Sequence, residues 1–77
     1  MEMKERIEIW KLLAEELIKI NSNVFIKDIH NNYYFCKIVL IGENKITIDC
    51  YAPEHRKGKR VYLNWFEIED LAEEREE

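Results

Sequence analysis

The stretch Tyr33 to Ala52, Tyr-Tyr-Phe-Cys-Lys-Ile-Val-Leu-Ile-Gly-Glu-Asn-Lys-Ile-Thr-Ile-Asp-Cys-Tyr-Ala, constrains this chain more than any other. β-Branched and aromatic residues crowd both halves, and Gly42-Glu43-Asn44 interrupts them with a tight turn. The pattern predicts two antiparallel strands, and side-chain chemistry sets their register. With the three turn residues looped out, Leu40 opposes Ile46, Ile38 opposes Ile48 and Cys36 opposes Cys50 on one apolar face. The other face pairs Lys37 with Asp49 and Phe35 with Tyr51, a charge pair and an aromatic pair. A slip of one residue would set Ile38 against Asp49, which a half-buried sheet rejects.

Upstream, Met3 to Ile20 reads as an amphipathic helix. Met3, Ile7, Trp10, Leu13, Ala14 and Leu17 recur at three- and four-residue steps and form one apolar stripe. Lys4, Glu8, Lys11, Glu15 and Lys19 take the wetter side, several of them at i,i+4 spacing. Ile9, Leu12, Ile18 and Ile20 widen the apolar surface; we expect core packing for them, with a contact to another subunit as the alternative. Asn21-Ser22-Asn23 ends the helix, since Asn tolerates the left-handed conformation of a C-cap. A helix this short is marginal alone, so it must dock on the sheet.

Val24 to Ile29 forms a first strand, and His30-Asn31-Asn32 turns into the hairpin, with His30 a turn residue and not a catalytic one. Lys45 to Ala52 alternates with Ile46, Ile48, Cys50 and Ala52 inward, until Pro53 stops it. Val61 to Trp65 alternates again, and after a tight turn at 64–66 a last short strand covers Glu67 to Leu71. Residues 72–77 form a solvated acidic tail. The expected fold is mainly β with one N-terminal α-helix: a small, five-stranded, strongly bent and partly closed antiparallel barrel. Contact between the last strand and the first would close it, and the helix would cap one open end.

Seventy-seven residues make a single domain, 1–77, with room for one core. An apolar fraction of 47% with nine aromatic residues excludes a disordered chain. No apolar run approaches the roughly 20 residues of a membrane span, and no signal peptide is visible. We therefore expect a soluble, cytoplasmic protein with no membrane partner. Cys36 and Cys50 resemble no zinc motif. Their register makes a bridge geometrically available, and for an intracellular protein we read them as reduced core thiols.

The layout resembles the Sm-like family of small, SH3-like barrels, including its bacterial host-factor branch. The echoes are Val24-Phe25-Ile26 opening the first strand, the Asn31-Asn32 turn, Gly42-Glu43-Asn44 before an Ile-x-Ile strand, and Val61-Tyr62-Leu63 running through a turn into Phe66-Glu67-Ile68. The resemblance covers almost the whole chain, as a pattern of strand lengths and turns. It implies a ring of subunits paired through edge strands, and RNA as ligand. The family's usual Asp and Asn after the second strand are matched only by Asn44. Its basic residue at the final turn is replaced by Asn64 and Trp65.

The formal net charge of −4 opposes indiscriminate nucleic-acid binding, yet the charge is segregated. His-Arg-Lys-Gly-Lys-Arg occupies 55–60, whereas 67–77 holds seven acids and one Arg. Arg56, Lys57, Lys59 and Arg60, flanked by Tyr51 and Tyr62, are candidates for clamping a phosphate backbone and stacking on a base, with Asn44 as a base contact. Trp65 and Phe66 are adjacent, so a turn there would point one outward as an anchor for a protein partner. No Ser/His/Asp set, metal-ligand cluster or phosphate-cradling Gly loop is present, so we expect neither catalysis nor a cofactor. The two functional expectations are an RNA-binding ring and an SH3-like protein-interaction or structural module.

Overall fold

The computed structural model describes residues 2–74. Helix α1 spans Met3–Lys19, and five strands come after it: β1 Val24–Asp28, β2 Tyr33–Ile41, β3 Lys45–Ala52, β4 Arg60–Asn64 and β5 Ile68–Glu73. Two 3-10 turns, Glu54–Arg56 and Trp65–Glu67, sit before and after β4. All strands belong to one antiparallel sheet with the order β4-β3-β2-β1-β5.

The helix ends as its sequence requires. Asn21 has a φ of 52°, its N–H bonds to Ile18 O at 3.1 Å, and the N–H of Ser22 reaches back to Leu17 O at 3.1 Å. Those two bonds satisfy carbonyls that the helix end would otherwise leave open.

The central hairpin keeps the expected register in its middle: Cys36 faces Cys50, Lys37 faces Asp49 and Ile38 faces Ile48. Toward the turn it departs. Leu40 faces Thr47 and Ile41 faces Ile46, because one extra residue between Ile38 and Leu40 forms a bulge. A bulge reverses the facing of the residues beyond it, so Leu40 turns to solvent at 62% exposure while Ile41 turns to the core. At the other end a second irregularity sets Phe35 opposite Ala52 in place of Tyr51. The expected Phe35–Tyr51 pair is therefore not formed as a facing pair. Phe35 packs against Phe25 instead, with ring centroids 5.4 Å apart.

β5 pairs with β1 as expected, but this adds an edge strand and does not close a barrel. The sheet is open, with β4 and β5 as its two edges, and it is not flat. Asn64 ends one edge and Ile68 begins the other, only four Cα steps later. Four steps span at most about 14 Å, whereas a flat five-stranded sheet holds its outer strands about 19 Å apart. The short link bends the sheet over its own concave face.

That face holds the core. Val24, Ile26, Cys36, Ile48, Ile46, Ile68 and Trp65 are essentially inaccessible to solvent, and Ala14 and Leu17 of α1 close over them. Ile7, Trp10 and Leu13 are half-buried at the rim. Met3 of the expected stripe is not core, and neither are Ile9, Leu12, Ile18 and Ile20, contrary to their expected core packing; all are exposed, Leu12 to 65%. One open sheet this small covers a single narrow stripe of helix. The expected acidic tail begins later than 72, since Ala72 and Glu73 belong to β5 and the N–H of Glu74 bonds to Asn23 O at 2.9 Å. The remainder of that tail, 75–77, lies outside the described residues.

Candidate functional site

The candidate residues fall into three places. The basic loop lies at one end of β3 and β4. Tyr51 and Tyr62 stand on the outer face of the sheet. Asn44, Trp65 and Phe66 meet at the opposite end, where the β2–β3 turn approaches the turn between β4 and β5.

The loop is anchored by backbone bonds. Gly58, at φ +80°, donates to Cys50 O at 2.9 Å, and the N–H of Cys50 donates to Lys59 O at 2.9 Å. The anchoring decides where the four cations go. Arg56 turns inward, its guanidinium 4.5 Å from the centroid of the buried Tyr34 ring. Arg60 grips Asp49 through two bonds, Nε to Oδ1 at 2.8 Å and a terminal nitrogen to Oδ2 at 3.0 Å. This pairing holds the Asp49 carboxyl below its ordinary range and raises Arg60, in each case through their mutual hydrogen bonds. The expected Lys37–Asp49 charge pair is thus superseded by Arg60, whose planar fork fits a carboxylate better than an ammonium does. Only Lys57 and Lys59 remain as exposed, uncommitted cations of the four.

On the outer face, Asn64 faces Lys45, Tyr62 faces Thr47 and Arg60 faces Asp49 across the β3–β4 ladder. Alternate residues share a face, so Arg60, Tyr62 and Asn64 form a row about 13 Å long leading from the loop to the far turn. Tyr62 is 62% exposed, and Tyr51, farther along β3, is 38% exposed.

At the far end a groove of about 550 Å³ is lined by Ile7 and Lys11 of α1, Glu43, Asn44 and Lys45 of the hairpin, and Asn64, Trp65 and Phe66, so that one carboxylate stands beside its two lysines. Adjacent aromatic residues have opposite fates here. Trp65 is 2% exposed and donates its indole N–H to Gly42 O at 2.9 Å, so it is a core residue and not a partner anchor. Lys11 places its Nζ 5.9 Å from the centroid of the same ring. Phe66 points out at 51% exposure, the outward member that the turn was expected to produce. Asn64 shapes this turn, its N–H and side-chain amide donating to Glu67 Oε1 at 3.3 and 2.6 Å. Its amide is therefore occupied, whereas Asn44 uses its backbone carbonyl to accept from Trp65 N at 3.2 Å and leaves its side chain exposed. Gly42 is required here: a Cβ would lie 2.9 Å from Lys45 O, the acceptor of its own N–H.

Sequence reasoning missed a fourth place. Asp28, at the end of β1, is buried, and its carboxylate accepts from the backbone of His30 and Asn32, both at 2.9 Å, from the Asn32 amide at 3.1 Å and from the Tyr34 hydroxyl at 2.9 Å. Burial alone would raise its pKa; the four bonds outweigh that and hold it below the ordinary carboxylate value. Burial and the bond to Asp28 push the Tyr34 hydroxyl up to about 12. The cluster pins the β1–β2 turn, in which Asn31 has a φ of 64°. An Asp four residues before an Asn in a turn was the available signal, since Asp side chains bond backbone N–H groups two residues on.

Among the described residues no group of His, Cys, Asp or Glu is placed to hold a metal ion, and no helix is long and apolar enough to cross a membrane. Compared with known families and curated proteins, the chain matches no family model and no curated sequence.

Proposed function

We propose that this chain is a non-enzymatic module of the bent small-barrel type, similar to Sm-like and SH3-like domains, that binds single-stranded RNA. The observation that carries the reading is the groove, which brings an exposed aromatic ring, Phe66, beside two cations, Lys11 and Lys45, and an exposed amide, Asn44. A base stacks on Phe66, Asn44 bonds its edge, and the lysines meet phosphates. Tyr62, exposed on β4 between the committed Asn64 and Arg60, continues the track toward Lys57 and Lys59.

Edge pairing between copies fits the same module. β5 and its flanks carry Glu67, Glu69, Asp70, Glu73 and Glu74, while β4 and its loop carry Lys57, Lys59 and Arg60. Such complementary edges suit a head-to-tail ring. To complete it, Arg6 must leave the Glu69 carbonyl, to which it now donates at 2.6 Å on the free side of β5.

The test is anisotropy of a labelled oligouridine at two salt concentrations, with light scattering of the same samples. Binding should fall steeply with salt, and Phe66→Ala should weaken it about tenfold, the loss of one stacked base. A monomer with the same indifference to RNA at both salts would overturn the reading. It would favour a protein-interaction module, for which the exposed Ile9, Leu12 and Ile18 on α1, with Ile20 just after it, are the supporting observation.

A further inference from the structure

We infer that Cys36 and Cys50 are a disulfide-forming pair, oxidised by a peroxide once the loop over Cys50 opens. The two residues are direct partners across β2 and β3, both with free thiols and both buried. The ladder decides what kind of pair they are. Cys50 donates its N–H to Lys59 O and accepts from Gly58 N with its carbonyl, each at 2.9 Å. Both backbone groups therefore point toward β4, and toward β2 the residue belongs to a non-hydrogen-bonded pair. In such pairs Cα atoms lie about 4.5 Å apart with side chains close together, inside the roughly 4.4–6.8 Å span a disulfide needs. Facing residues share one side of the sheet, so both sulfurs point into the same core.

Access distinguishes them. Cys36 is wholly enclosed, its thiol donating to Val24 O at 3.6 Å. Cys50 lies beneath the loop Pro53–Lys59, which is tied to it by the two backbone bonds above. Opening that loop exposes Cys50 first and leaves Cys36 as the resolving thiol. In the closed fold burial raises both thiols above their ordinary value, so reactive thiolate is scarce and oxidation waits on the loop.

The chemistry balances with hydrogen peroxide as oxidant. The Cys50 thiolate attacks one peroxide oxygen, the O–O bond breaks, hydroxide departs, and Cys50 is left as a sulfenic acid. The Cys36 sulfur then attacks the Cys50 sulfur, the S–O bond breaks, and a second hydroxide leaves. The two thiol protons convert both hydroxides to water; the cysteines lose two electrons and the peroxide gains them.

The experiment treats the full folded chain with hydrogen peroxide and reads intact mass, a peptide map and the thermal midpoint, before and after dithiothreitol. Expected are a loss of two hydrogens, a linked peptide joining Cys36 to Cys50, and a midpoint raised by on the order of 10 °C, all reversed by the reductant. Gly58→Ala should speed the oxidation several-fold, because its φ of +80° strains any other residue and loosens the loop, while open space surrounds the added carbon. Two alkylatable thiols after treatment, oxygen added without a link, or links only between chains would each overturn the inference. The mass of the unaltered protein decides this even if Gly58→Ala fails to fold.

Discussion

Asp28 and Asp49 both hold their carboxyls below the ordinary range, and they do so in opposite surroundings. Asp28 is 2% exposed and is bonded by four neutral donors drawn from one turn and the strand it enters. Asp49 stands in solvent and is bonded by one cation from a neighbouring strand. Water competes with every bond at Asp49 and far less with those at Asp28, of which the Tyr34 bond is fully buried. The first is therefore a structural cornerstone, while the second holds a charge in place and removes Arg60 from the set of cations free to meet a ligand.

The sharpest way to break this contrast is Asp28→Ala. It strands the buried Tyr34 hydroxyl, takes the shared acceptor from the β1–β2 turn, and should cost about 3 kcal/mol by denaturant unfolding. Tyr34→Phe removes one of the four donors and leaves Asp28 Oδ2 with the Asn32 amide alone, for a loss of about 1 kcal/mol in the same measurement. The pH dependence takes its sign from the direction of the shift. Because the folded pKa of Asp28 is depressed, its contribution is fully present above the unfolded value of about 3.9 and is lost as pH falls through the folded value. Melts of the unaltered protein should therefore lose stability on acidification below about pH 4 more steeply than melts of Asp28→Asn. The smallest expected effect belongs to Asp49→Asn: a melting curve indistinguishable from the unaltered protein at moderate salt, since exposed pairs are screened. The same change frees Arg60 and should tighten oligouridine binding, whereas a large stability loss would erase the distinction between the two sites.

The legibility of this chain in its sequence varies with distance along it. The span of α1, the left-handed stop at Asn21, the limits of β3 and the pairing of Cys36 with Cys50 are all readable, because each rests on neighbours in sequence or on one turn. The bulge between Ile38 and Leu40 is not, since both registers keep an apolar residue opposite Ile46 and differ in whether Leu40 or Ile41 faces the core. The candidate site is readable in part. Phe66 and Asn44 stand out in the sequence for different reasons, and the fold brings them together. Lys11 and Lys45 stand out only as surface and strand residues, and no spacing in the sequence joins a helix to that turn.

The order of residues by itself determined one helix, five strands and the middle of the hairpin's register, because hydrophobic period and turn chemistry act over a few neighbouring positions. The tertiary structure decided which of two adjacent residues is spent on the fold and which is left for a ligand. Trp65 is buried because Gly42 offers a carbonyl to its indole, and Phe66 is exposed as a consequence. Arg56 turns inward because the Tyr34 ring lies beneath its loop, and Lys57 stays in solvent. Such choices depend on groups distant in sequence that meet only when the sheet curls, so local pattern carries no trace of them.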